Sequence, residues 1–128
     1  MNIFKNIASA FKNWLDFKGR ASRGEYWSYT LFMMIFGLLF SAGLIVLFLK
    51  GNALWLDSAL GMIVFGIVNL YITILGIFLS TRRLHDINKS GWWQLLSLTI
   101  VGLPVVFYWY LKPADKGENR FGANPLNK

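Results

Sequence analysis

Three stretches of this chain contain no Asp, Glu, Lys or Arg, at residues 26–49, 58–81 and 90–111. Charge bounds each of them, with Glu25 and Lys50, Asp57 and Arg82, and Lys89 and Lys112 at their ends. The first two hold 24 residues each, more than the roughly 20 that cross a hydrocarbon core, so each predicts a membrane-spanning helix. The third holds 22 and predicts a third span, kinked or broken at Gly102 and Pro104, because proline removes a backbone donor and clashes with the turn before it. Ahead of the runs, residues 3–17 repeat at the helical period. Ile3, Phe4, Ile7, Ala8, Phe11, Trp14 and Leu15 project to one face, and Lys5, Asn6, Ser9, Lys12, Asn13 and Asp16 to the other. That pattern predicts an amphipathic helix lying in the membrane interface, or one packed on the protein's own polar face, with Gly19 as its terminator. Residues 112–128 are polar and interrupted by Pro113, Gly117, Gly122 and Pro125, which predicts an irregular tail. The expected fold is an all-α membrane helical bundle of three hydrophobic segments with an N-terminal interfacial helix, in one domain over 1–128.

Details inside the runs sharpen this expectation. The first run is longer than a signal-peptide core of roughly 7–15 residues and follows too long a leader, so it is expected to stay uncleaved. Asn69 should face another helix, since an amide is costly against lipid. Gly37 with Ser41, and Gly76 with Ser80, have the small-xxx-small spacing that lets helices approach closely. Gly51 and Asn52 in the link 50–57 suit a turn. Trp55 there, Trp92 and Trp93 at the start of the third run, and Tyr108, Trp109 and Tyr110 at its finish stand at aromatic-belt positions.

Composition agrees with a membrane class. Hydrophobic residues make up 55% and charged residues 15%, against roughly 25% charged in soluble domains. The net charge is +7, but the basic residues flank apolar runs and no recognition motif accompanies them, which argues against nucleic acid. There is no cysteine, so disulfides, thiolate metal sites and thiol nucleophiles are excluded. Five Lys and Arg precede the first run, one follows it, three lie in the second link and four in the tail. Three crossings with the N-terminus inside place eight of these inside and five outside, which the positive-inside rule favours over the reverse. If the third run turned back midway, twelve would lie inside and one outside. Against that stands its length, since arms of about 10 residues reach only roughly 15 Å, and the expectation is a full, kinked crossing.

The charges gather into three motifs. The first reads GRASRGEYW over 19–27, the second RRLHD over 82–86 followed by SGWW over 90–93, and the third GENRFG over 117–122 with Asn124 and Pro125. In this order, with hydrophobic runs between them, they resemble the bacterial family known as domain of unknown function 805, over nearly the whole chain. The resemblance implies a small inner-membrane protein and no established activity.

Chemically, Arg20, Arg23, Arg82 and Arg83 share one membrane face if the first two runs are antiparallel, with Glu25 and Asp86 as partners for two of them. They form either a salt-bridge network that pins helix ends or a site for anionic lipid headgroups, with Trp92 or Trp93 against the glycerol region. His85 beside Asp86 raises acid–base chemistry, but neighbours on a helix point about 100° apart and a lone histidine makes no zinc site. Asn119 suits a turn, and Arg120 with Phe121 could dock the tail onto the headgroup-facing surface. The leading expectation is a non-enzymatic protein whose headgroup- or partner-binding residues are Arg20, Arg23, Glu25, Arg82, Arg83, His85, Asp86, Trp92, Trp93, Asn119 and Arg120. It needs no cofactor or metal, its partners being membrane lipids, a second copy or another membrane protein. An oligomeric transporter or channel subunit comes second, and a membrane-embedded enzyme using His85, Asp86 and Glu25 third.

Overall fold

The computed structural model describes residues 2–13, 15–51 and 58–127, with only the backbone of Phe48 and Asn127. Trp14, Asn52 and Trp55 lie outside the described residues. Helix α1 spans Ile3–Lys12, α2 Arg23–Leu49 and α3 Ala59–His85; a 3₁₀ helix, Gly91–Leu98, leads into α4, Gly102–Leu111, and a last 3₁₀ turn covers Pro125–Asn127. Side-chain oxygens cap the starts of α1, α2 and α3, relieving N–H groups that lack intrahelical partners. Asn2 accepts from Phe4 N at 3.2 Å, Ser22 from Glu25 N at 3.2 Å and Ser58 from Gly61 N at 3.1 Å.

α1 ends well before Gly19. Asn13 turns its Nδ2 back to the Ser9 carbonyl at 3.0 Å and closes the helix there. Asp16 Oδ1 then accepts from Lys18 N and Gly19 N at 2.9 and 3.1 Å. A Cβ on Gly19 would lie 2.6 Å from Asp16 Oδ2, so this glycine makes room for a side-chain turn. α1 presents three faces. Asn6 and Ala10 are buried against α2, with Asn6 Nδ2 donating to Ser28 Oγ at 3.2 Å. Ile3, Phe4 and Phe11 stay exposed on an apolar side, and Lys5 and Lys12 on a cationic one.

α2 and α3 are the two helices long and apolar enough to cross a membrane, at 27 residues each. They begin one turn earlier and end one turn later, respectively, than the uncharged runs, which draws Arg23 and Glu25, and Arg82, Arg83 and His85, into helical geometry. They meet through Tyr29, Met33, Leu75 and Leu79, with Ala10 and Ala21 completing the core. Away from that end both are almost wholly exposed. The small residues do not mediate close approach, since a Cβ at Gly37 or Gly76 would have nothing within 4 Å. Asn69 does not face another helix of this chain: it is exposed and folds its Nδ2 onto the Phe65 carbonyl at 2.8 Å.

The third run does not form a third long helix. It starts beside the last turn of α3, where Gln94 Nε2 donates to Thr81 Oγ1 at 2.6 Å. It ends there too, where Arg83 Nε and Trp27 Nε1 donate to the Tyr110 carbonyl at 3.2 and 3.3 Å. Both arms therefore return to one end of the helix pair. The turn falls at residues 99–101: Thr99 Oγ1 donates to the Leu96 carbonyl at 2.8 Å and accepts from Gly102 N at 3.0 Å. A Cβ on Gly102 would lie 1.9 Å from the Leu96 carbonyl oxygen, so only glycine permits the hairpin to close. Pro104 kinks nothing. It sits in the first turn of α4, where its missing N–H had no intrahelical acceptor to lose. Arms of eight and ten residues are each about half a hydrocarbon core in length. In place of the three expected spans, the described residues hold two helices long and apolar enough to cross a membrane, and a hairpin.

Candidate functional site

The three motifs close into one buried knot at the end of the bundle where the hairpin returns. Arg20, in the segment joining α1 to α2, lies at its centre. Its Nε pairs with Asp86 Oδ1 at 3.0 Å, both side chains being at most 1% exposed. One terminal nitrogen donates to the carbonyls of Gly117 and Gly122 at 2.8 and 3.0 Å, and the other to those of Asp115 and Asp86 at 2.9 and 3.3 Å. A guanidinium has five N–H donors, and each of these is engaged. Gly117 and Gly122 have φ of +75° and +113°, backbone that glycine adopts without penalty, and from there their carbonyls reach Arg20. Motif one thus reads the backbone of motif three through the carboxylate of motif two.

Arg83 is fully buried and bridges the same carboxylate to the hairpin. It donates to Asp86 Oδ2 at 2.6 Å and to the carbonyls of Tyr110 and Lys112. Arg23, exposed, adds a bond to the Leu111 carbonyl at 3.3 Å. These carbonyls belong to the last turn of α4 and the residue after it, where no intrahelical donor remains and the helix dipole favours a cation. Arg82 turns the other way, to Glu25 Oε1 at 2.7 Å and the Asn13 carbonyl at 3.3 Å. Glu25, Arg82 and Asp86 are all buried. Burial pushes the Asp86 carboxyl up from its ordinary value, while Arg83 and Arg20 pull it back; with two guanidinium groups in contact, the ion pairs are its working form.

His85 and Asp86 diverge, as neighbours at a helix end must. The buried imidazole stacks on Phe121 at 3.7 Å and 3° between planes, with Nδ1 3.1 Å from the Gly19 carbonyl. That oxygen only accepts, so Nδ1 carries the proton. Asn119 Nδ2 donates to the His85 carbonyl at 2.9 Å, and its Oδ1 accepts from Phe121 N at 2.9 Å. Exposed Arg120 lies 4.7 Å over Phe121 and donates to the Asn88 carbonyl at 3.0 Å. Trp92 is 79% exposed. Trp93 packs edge-on against Trp109, and the Lys89 ammonium sits 4.3 Å over the Trp109 ring.

The structure therefore gathers Arg20, Arg23, Arg82, Arg83, Glu25, His85, Asp86, Asn119 and Arg120 at one end and leaves Trp92 and Trp93 along the hairpin. Glu25, His85 and Asp86 bind different partners and make no hydrogen bond to one another. Among the described residues no group of three His, Asp or Glu side chains gathers to hold a metal ion. The acceptors on Asp115, Gly117, Gly122, Tyr110 and Lys112 went unforeseen because backbone carbonyls leave no side-chain signal in a sequence.

Two apolar helices tied at one end by a polar knot define a small helical protein suited to membrane insertion, and comparison with known sequences agrees. The chain belongs to the family described as protein of unknown function (DUF805), whose profile matches residues 14–123. It is similar to the inner membrane protein YhaH of Escherichia coli K12, at 36% identity over 122 positions, covering 89% of this chain and 90% of the relative. It is also similar to the inner membrane protein YhaI of the same strain, at 33% identity over 119 positions, covering 91% and 92%. No solved structure matches the chain significantly.

Proposed function

We propose that this is a non-catalytic inner-membrane protein that crosses the bilayer twice, keeps both termini in the cytoplasm and holds anionic lipid headgroups on its cytoplasmic face. The observation that carries this reading is the division of its cations. Arg20, Arg82 and Arg83 have their donors turned inward on protein acceptors, so they brace the fold. Around them Lys5, Lys12, Lys18, Arg23, Lys112, Lys116 and Arg120 are exposed, with exposed Asp16 and Glu118 as the acidic counterweight. With the hairpin folded back, every described basic residue except Lys50 belongs to the segments at this end. That asymmetry supports a cytoplasmic placement, and an anionic leaflet attracts such residues by about 1 kcal/mol each. The relatives' inner-membrane names support the location. The headgroup surface is therefore formed by lysines and by Arg23 and Arg120, while the buried arginines position it.

Native mass spectrometry of the detergent-purified chain, with phosphatidylglycerol and phosphatidylcholine supplied in competition, tests the reading. The combined variant Lys18→Glu, Lys112→Glu and Lys116→Glu should lose its preference for the anionic lipid at least tenfold and keep its melting temperature. Wild-type preference in that variant would refute the proposal.

A further inference from the structure

Two cavities meet on α3. The larger, about 780 Å³, lies between α3 and the first arm of the hairpin, against Ile77, Phe78, Gln94, Leu95 and Leu98. The smaller, about 230 Å³, lies between α2 and α3 against Tyr29, Thr30, Met33 and Ile72. Gly76 and Ser80 line both, and the open space at Gly76 leaves a passage between them. The lining on α3 runs from Thr73 to His85, roughly 18 Å of helix, which matches the depth of one leaflet of a core about 30 Å thick.

Polarity is graded along that depth. At the knot end stand His85 and Ser90, with Lys18 and Lys89 as chain neighbours of the lining residues Phe17 and Ser90. About one turn further in comes a hydroxyl layer, in which Ser80 shares the lining with Tyr110 on one side and Tyr26 on the other and Thr81 meets Gln94. Buried Tyr29 lines the smaller cavity, and its Oη has no protein partner. Beyond lie Ile77, Leu95 and Leu98, and the two deep hydroxyls, Thr73 and Ser97, are satisfied by the Asn69 and Gln94 carbonyls at 2.8 and 2.6 Å.

We propose that this groove holds a single glycerophospholipid, with its phosphate level with exposed Lys18 and its ester carbonyls on the hydroxyl layer. One acyl chain lies along Leu95 and Leu98, and the other passes Gly76 toward Met33. The order of cation, hydroxyl and hydrocarbon is that of the lipid itself. The inference rests on the proposed placement of this end at the cytoplasmic leaflet and adds to it a site whose selection is for shape.

The test substitutes Gly76→Leu in the full chain, purified in mild detergent, with phosphatidylglycerol or phosphatidylcholine added and lipid retention and oligomeric state read by native mass spectrometry. The new side chain fills the passage where no atom stands in its way. Retention of the most tightly held lipid should fall at least tenfold with either headgroup, without a change in melting temperature. Thr73→Phe, from an exposed position on the same wall, should reproduce the loss and decides the matter if Gly76→Leu disturbs folding. Undiminished retention in the folded variants overturns the groove and leaves the lysine surface standing. Loss of a dimer with lipid unchanged overturns it in favour of a second copy. Loss only of the anionic preference, as expected for the lysine variants, likewise assigns the lipid to the surface and overturns the groove.

Discussion

Arg20 turns none of its N–H donors to solvent, and that decides how the first motif should be read. A juxtamembrane arginine is expected to meet phosphate; here the five acceptors are the chain's own. Taking charges out of water is costly and is offset only when every donor and lone pair finds a partner. The knot comes close to that, Arg82 Nε being left without an acceptor. Removing one partner should therefore cost far more than an exposed pair would. Asp86→Asn leaves Arg20 and Arg83 buried without their counter-charge, and is expected to destabilise the protein by about 3–5 kcal/mol. Unfolding by SDS in mixed micelles measures this; a loss below about 1 kcal/mol would mean that the knot is a surface ornament.

At the scale of elements, the hairpin is what the tail depends on. α4 ends in carbonyls that Arg83, Arg23 and Trp27 receive, and the chain then passes to Asp115, whose N–H donates to the Asp86 carbonyl at 2.9 Å. All of this requires the turn at residues 99–101 to stay closed. Gly102→Ala would drive a methyl into the Leu96 carbonyl at 1.9 Å, and backbone cannot move aside as a flexible side chain does. The variant should open the hairpin and free the tail, so that limited trypsin cleavage after Lys116 and Arg120 accelerates at least tenfold while α2 and α3 stay intact. Unchanged cleavage would show that the tail is anchored without the hairpin.

For the whole molecule, the consequence is topological. The two proposed crossings, with the returning hairpin, place residues 5–23 and 112–120 on one side and Lys50 on the other. The chain has no cysteine, so single cysteines report cleanly. In intact cells, Lys50→Cys should react with a membrane-impermeant maleimide, while Lys18→Cys and Lys116→Cys should react only after lysis. Labelling of Lys116→Cys in intact cells would restore a third crossing and dismantle the proposed cytoplasmic surface. Outside the shared core near Tyr29, Leu75 and Leu79, α2 and α3 have little protein around them.

The sequence by itself determined the all-helical class, the two long helices and the gathering of motif residues at their ends, because these follow from hydrophobic run length and from where charge is tolerated. It also held a clue to the hairpin, in a charge balance of twelve to one that gave way to the length of the third run. Length misled because 22 uncharged residues fit one crossing or two half-depth arms equally well. Choosing between them required the contacts of Thr99, Gly102 and Arg83 with backbone groups at the two ends of the second arm, which run length does not encode. Only the tertiary structure decided which cations face water. Lys and Arg look alike in a charge count, and what separates Arg20 from Lys18 is a set of backbone carbonyls about 95 to 102 residues away.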